Sequence, residues 1–159
     1  MLDTLHIPYE TRAYEVDLND LSGQTVAKKI GLPSEQVFKT LLTRVDHDRI
    51  VFAVLSVADE LDFKKLATAV GGRRAELVPI QEVQPLTGYI RGGVTVFGSK
   101  KSFPVFVDES IELFDVISVS AGMRGLQLLI APADYIRAAE AQVVDLTRAS
   151  SSLPEGLAQ

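Results

Sequence analysis

The 159-residue chain contains no cysteine. Disulfide scaffolds, thiolate metal centres and cysteine nucleophiles are therefore excluded. Histidine is nearly as scarce. His6 sits beside Ile7 and Pro8, and His47 sits in a polar segment. Neither has a neighbour at metal-ligand spacing, so both are expected on the surface, with no metal site and no cofactor. A Ser-His-Asp hydrolase would have to recruit one of these two, and no Gly-x-Ser-x-Gly elbow is present. No apolar run approaches the roughly 18 residues that span a bilayer. The opening MLDTLHIPYETR lacks a basic start followed by an apolar stretch, so a cytoplasmic location without membrane association is expected.

What is present suits a folded domain. Apolar residues make up 47% of the chain and charged residues 23%, which supplies a sizeable core. The length fits one domain, expected over 1–148. The last segment, 149–159, is small, polar and punctuated, and is expected to be a disordered tail. Sixteen basic against 21 acidic residues give a net charge of −5, unlike a general nucleic-acid coat protein. Positive charge is nonetheless clustered, at Lys28 and Lys29, Lys64 and Lys65, Arg73 and Arg74, and Lys100 and Lys101. Such pairs are usually solvated helix faces, but a local basic patch on an acidic body can hold a few phosphates.

Helix and strand signals interleave. A strand is expected over Thr11–Val16, then an amphipathic helix from Ser22 to Ile30 with Ser22 as N-cap and Gly31 as stop. Two β-rich runs, Val37–Val45 and Ile50–Val57, flank a polar four-residue turn and read as an antiparallel hairpin. Asp62–Val70 reads as a helix capped by Asp62 and ended by Gly71. Pro79–Gln84 reads as a short helix opened by Pro79. Strands follow near Val105–Val107, Val116–Ser120 and Leu126–Ile130, then a helix after Pro132 to about Ala141 and a strand at Val143–Leu146. So many strands, one pair of them a hairpin, favour a mixed, curved sheet with flanking helices over a doubly wound parallel one.

Two features carry the chemistry. Between Gly88 and Gly98 lie four glycines in eleven residues, in neither the dinucleotide nor the P-loop spacing. Such a stretch is either a flexible turn or bare backbone that lets a ligand approach and offers it N–H groups. Lys39 lies in a strand where alternation places it beside Val37 and Leu41. Its stem either covers apolar surface while the ammonium reaches water, or its charge stands in a cleft wall to meet a phosphate or an oxyanion.

Five segments occur in order: Val37-Phe38-Lys39-Thr40-Leu41, Leu61-Asp62-Phe63-Lys64-Lys65-Leu66-Ala67, Thr87-Gly88-Tyr89-Ile90-Arg91-Gly92-Gly93, Gly98-Ser99-Lys100-Lys101, and Val119-Ser120-Ala121-Gly122-Met123-Arg124-Gly125-Leu126. Each is weak alone, but the ordered set resembles the YbaK/EbsC family, free-standing relatives of the editing insertion domain of bacterial prolyl-tRNA synthetase. The likeness spans about Tyr14 to Leu146. It implies the mixed α/β fold of that family, a sheet curled toward a barrel. It also implies a trans-editing hydrolase that deacylates mischarged aminoacyl-tRNA, typically Cys-tRNA(Pro), by binding the acceptor end.

On this resemblance the family's essential lysine falls on Lys39, and its tyrosine near the first strand on Tyr14. The substrate loop falls on Gly92 to Gly98, with Gly92, Gly93 and Gly98 as the glycines and Thr95 and Val96 inside it. The late motif falls on Ser120, Gly122 and Gly125. Val96 stands where the family usually carries proline, and Gln127 where an acidic residue is common, which bears on the amino acid removed. Lys100 and Lys101, with Arg91 and Arg124, are candidates for the tRNA. Prolyl-tRNA synthetase is an implied partner of some members. Two alternatives stay open: a deacylase of another mischarged tRNA such as Ala-tRNA, and a non-catalytic module binding aminoacyl-adenosine or a protein.

Overall fold

A computed structural model describes residues 2–3 and 5–148. The tail expected from residue 149 lies outside the described residues. The described residues form eight strands and four helices: β1 (Glu10–Ala13), α1 (Gly23–Ile30), β2 (Phe38–Val45), β3 (Arg49–Ser56), α2 (Phe63–Val70), β4 (Ala75–Leu77), α3 (Ile80–Thr87), β5 (Val105–Asp108), β6 (Ile117–Ser120), β7 (Leu126–Ile130), α4 (Pro132–Ala139) and β8 (Gln142–Val144). Single 3₁₀ turns occupy Ser34–Gln36 and Glu109–Leu113.

Local chemistry sets most boundaries. The Ser22 side chain accepts from Thr25 N–H, and Gly31 ends α1 in the left-handed region. Asp62 accepts from the N–H groups of Lys64 and Lys65, and Gly71 ends α2 in the same way. The first strand is shorter than expected and starts one residue earlier, at Glu10, because only Glu10–Ala13 find partners on β7. Helix α3 runs past Pro85 to Thr87, since a proline in the last turn forfeits only one N–H bond and Gly88 caps the end. β4 has no counterpart in the sequence reading. Its three residues are too few for a periodic signal and owe their extension to β2.

The strands form a mixed arrangement split in two, β1-β7-β6 and β4-β2-β3-β5-β8. Pairing is antiparallel except for β3 with β5 and β5 with β8. The sheets do not close into a barrel. A parallel bridge from Val37 to Ser118 joins them, just before β2 begins. Between the sheets lies the main core, where Phe38, Phe52, Val54 and Val107 meet Ile117, Val119, Leu128 and Tyr135. On the other side of the larger sheet, Val51, Ala53, Leu55 and Phe106 pack on Leu66 and Ala67 of α2. Strand β3 is thus covered on both faces, which is why it reads as an unbroken apolar run. A small third cluster seats Ala27 and Ile30 of α1 on Val37 and Val57.

Asp62→Ala removes both cap bonds of α2 and is expected to cost about 1 kcal/mol of stability, read as a lower urea midpoint with unchanged slope.

Candidate functional site

Strand β2 is paired with β3 over its whole length, but on its other edge β4 begins only at Thr43. The bond from Val57 N–H to the Val37 carbonyl sets the parity of the hairpin. In an antiparallel ladder of that parity, Lys39 and Leu41 direct their amide groups to β3, while Thr40 directs its N–H and C=O away from it. The next even residue confirms the alternation, since the Leu42 carbonyl accepts from Val78 N–H. Among the described residues, Thr40 therefore has no ladder partner on the edge between the Val37 bridge and β4. Over that edge opens a cleft of about 510 Å³.

The cleft is where the dispersed sequence features meet. Lys39 and Thr40, the N-terminal turn of α1 at Ser22 and Gly23, Arg91, Gly92 and Val94 of the glycine stretch, and Ser120 and Gln127 of the β6–β7 pair all line it. Val37, Leu42, Val57 and Val78 supply apolar wall, and Leu77 and Ile80 stand exposed at its edge. Lys39 and Arg91 line it and no carboxylate does, although the protein is net acidic.

Lys39 is half-buried, and its Nζ donates to the Asp59 carbonyl at 3.0 Å, leaving two ammonium hydrogens for another acceptor. Burial holds its pKa below the ordinary lysine value, partly offset by the Asp59 and Glu60 carboxylates. The Asp59 carboxyl is pushed up in turn, mainly by its own burial and by Asp108.

The glycine stretch is held against the β6–β7 turn. Gly92 has φ +90°, and a Cβ on Gly93 would lie 3.0 Å from Met123 Cα and 3.2 Å from Arg124 N, so backbone meets backbone there. Arg124 Nε donates to the Arg91 carbonyl at 2.8 Å, and the Tyr89 hydroxyl donates to the Phe97 carbonyl across the base of the loop. Tyr89 also packs against Gly122, whose N–H donates to Ser120 Oγ. Gly93 N–H is committed to the Ile90 carbonyl at 2.9 Å. Among the described backbone bonds outside helices and strands, the N–H groups of Gly92 and Val94 have no partner, and both residues line the cleft.

Of the residues singled out in the sequence, Lys39, Arg91, Gly92, Ser120 and Gln127 share the cleft, and the others do not line it. Tyr14 packs on the small cluster of α1. Thr95 is buried and faces a second hollow of about 260 Å³, which Ser120 also borders. Val96 packs on the main core. Gly98 abuts Tyr89, and Lys100 and Lys101 are exposed away from the cleft wall. Both histidines are exposed, and among the described residues no cluster could hold a metal. Missed in the sequence were the backbone edge of Thr40, the Asp59 anchor and the Tyr89 strut. Only Tyr89 left a local trace, an aromatic set among glycines.

The comparisons with known proteins agree with this architecture. A family model described as "Aminoacyl-tRNA editing domain" matches residues 21–138. The chain is 35% identical to EbsC of Enterococcus faecalis, named for Cys-tRNA(Pro) and Cys-tRNA(Cys) deacylation, over 92% of this chain and 90% of that one. It is 30% identical to the multifunctional Ser/Thr-tRNA deacylase ProXp-y of Escherichia coli, over 79% and 77%. A solved structure described as a trans-editing enzyme for prolyl-tRNA synthetase superposes with a TM-score of 0.79 over 92% of both chains at 23% identity, a likeness of fold.

Two substitutions test the site physically. Because burial opposes the Lys39 charge, Lys39→Met is expected to raise the urea midpoint at pH 7. The sign follows from the depressed folded pKa: the cost is complete below it and fades as pH rises toward the unfolded value of about 10.4. The advantage of the methionine should therefore shrink in alkaline titrations. Gly93→Ala is expected to lower stability by about 1–3 kcal/mol, because its Cβ meets backbone that cannot move aside, and calorimetric melting checks it.

Proposed function

Because the chain belongs to the aminoacyl-tRNA editing domain family, we propose that it is a trans-editing hydrolase that frees mischarged tRNA of the wrong amino acid in the cytoplasm. The reading favoured for its substrate is Cys-tRNA(Pro), supported by the 35% identity to a relative named for that ester. The observation that carries the proposal is the carboxylate-free cleft that brings Lys39, the bare loop amides and the β6–β7 hydroxyl and amide together.

The chemistry asks little of the side chains. An aminoacyl ester is already activated, and the ribose hydroxyl beside it assists locally, so the protein needs no nucleophile of its own. Water adds to the ester carbonyl, the bond to the ribose oxygen breaks, that oxygen takes up the proton given up by the water, and the free amino acid leaves. The N–H groups of Gly92 and Val94 meet the tetrahedral oxyanion, and one such donor is worth roughly 10²–10³ in rate. Lys39 holds the phosphate of the terminal adenosine or the ester. With a cysteinyl ester the substrate's own thiol can attack instead: sulfur replaces the ribose oxygen on the carbonyl carbon, the thiol proton passes to that oxygen, a thiolactone leaves, and the protein acts by orientation.

Gly93, Thr95, Val96 and Gly98 shape the loop in this proposal, while Tyr14 and Gly122 support its two sides. Arg91 and Arg124, with Lys100 and Lys101 farther out, steer the acceptor stem. The partner proposed to supply tRNA identity is prolyl-tRNA synthetase, as the family likeness implies for some members. The unit responsible spans 1–148.

Incubation with a panel of mischarged tRNAs checks the proposal. Hydrolysis of Cys-tRNA(Pro) is expected from the wild type and a loss of at least tenfold in kcat/KM from Lys39→Ala. Turnover of only another ester, such as Ala-tRNA, would replace the substrate and keep the reaction. Binding without turnover of any ester would reduce the protein to an aminoacyl-adenosine or protein-binding module.

A further inference from the structure

The β6–β7 pair carries polar side chains on the face turned away from the main core. Ile117, Val119, Leu128 and Ile130 point into the main core, so alternation puts Ser118, Ser120 and Gln127 on the opposite face. Serines and a glutamine on a solvated face need no explanation. Here Ser118 is fully buried and Gln127 is only 5% exposed. A buried amide must find partners for its donors and its acceptor, or it costs stability.

Gln127 has found half of them. Ser118 Oγ donates to its Oε1 at 2.7 Å. The other end, Nε2, has no protein acceptor among the described residues, yet it is not one of the sealed unpartnered atoms and Gln127 lines the cleft. Directly across the ladder, Ser120 Oγ accepts from Gly122 N–H, so its own hydrogen is also available. The cleft floor therefore offers donors.

Which part of a ligand can meet them follows from chemistry. An α-ammonium only donates and cannot satisfy an N–H₂ group. A phosphate is drawn to the cations Lys39 and Arg91. The ester carbonyl, the ribose and the adenine offer acceptors common to every substrate, and the acyl side chain offers the one that varies. We propose that Gln127 is a specificity-determining residue whose Nε2 donates to an acceptor heteroatom on the β-carbon of the acyl group, so that hydroxyl- and thiol-bearing residues are favoured over a methyl. This rests on the deacylase reading of the same cleft. Sulfur is the weaker acceptor, so a seryl group gains more from Nε2 than a cysteinyl one.

The test uses amide-linked 3′-seryl- and 3′-alanyl-adenosine, which cannot be hydrolysed, so that binding is read without turnover. Calorimetry on the full chain is expected to give about tenfold tighter binding of the seryl compound, the effect of one hydrogen bond to a buried donor. Gln127→Met should abolish the difference. Because that change strands the Ser118 hydroxyl, a Ser118→Ala/Gln127→Met double variant repeats the measurement without a buried orphan. Equal affinities in the wild type, a preference that survives the double variant, or equal weakening of both compounds would each overturn the proposal. The last would place Gln127 on the part common to all esters. Separately, failure to hydrolyse any charged tRNA with the seryl preference intact would sink the deacylase reading and leave this one standing.

Discussion

Everything in this protein turns on a short length of unpaired strand edge. Backbone amides must be hydrogen-bonded or hydrated, and a sheet normally solves this by adding a neighbour. On β2 the neighbours stop short at both ends. The link to β6 amounts to one bridge at Val37, and β4 starts only at Thr43. The amide groups of Thr40 are left to whatever occupies the gap, and a cleft results instead of a seam. Had the two sheets joined through more of β2, the curl would have closed and no hollow would separate Lys39 from the glycine stretch.

The surroundings convert that gap into a site with a sign and a floor. Two cations stand in its wall and no carboxylate does, in a protein whose net charge is −5. The loop amides are free where they face the cleft and committed where they do not, as the Gly93 bond to Ile90 shows. Arg124 and Tyr89 do not line the cleft, and they act by holding the loop in place. Preorganised donors of this kind cost no reorganisation when charge develops, which is how a protein without a nucleophile can accelerate ester cleavage. Burial lowers the Lys39 pKa, partly offset by the Asp59 and Glu60 carboxylates.

Family membership and chemistry meet in the late motif. The family model and the relatives identify the class of reaction, and they do not specify the acyl group. We propose Gln127 as the place where this chain sets its own preference. Its oxygen accepts from Ser118 and its nitrogen is left over. A one-atom difference at such a position, nitrogen for oxygen, reverses what the floor can recognise.

The amino-acid sequence by itself determined the local elements. Ser22, Gly31, Asp62 and Gly71 mark two helices, alternation marks the β2–β3 hairpin, and the glycines mark a loop that had to be special, because capping, pleat and φ are decided within a few residues. It also excluded a cysteine nucleophile outright and left only two poorly placed histidines. Only the tertiary structure decided that the sheet splits in two, that β4 exists, and that Thr40 faces no partner, because strand pairing joins residues far apart in the chain. The same long-range packing sent Thr95 to a second hollow and Lys100 and Lys101 to the surface, turned Arg124 inward to the loop, and buried Gln127 on a face that periodicity alone would have assigned to water.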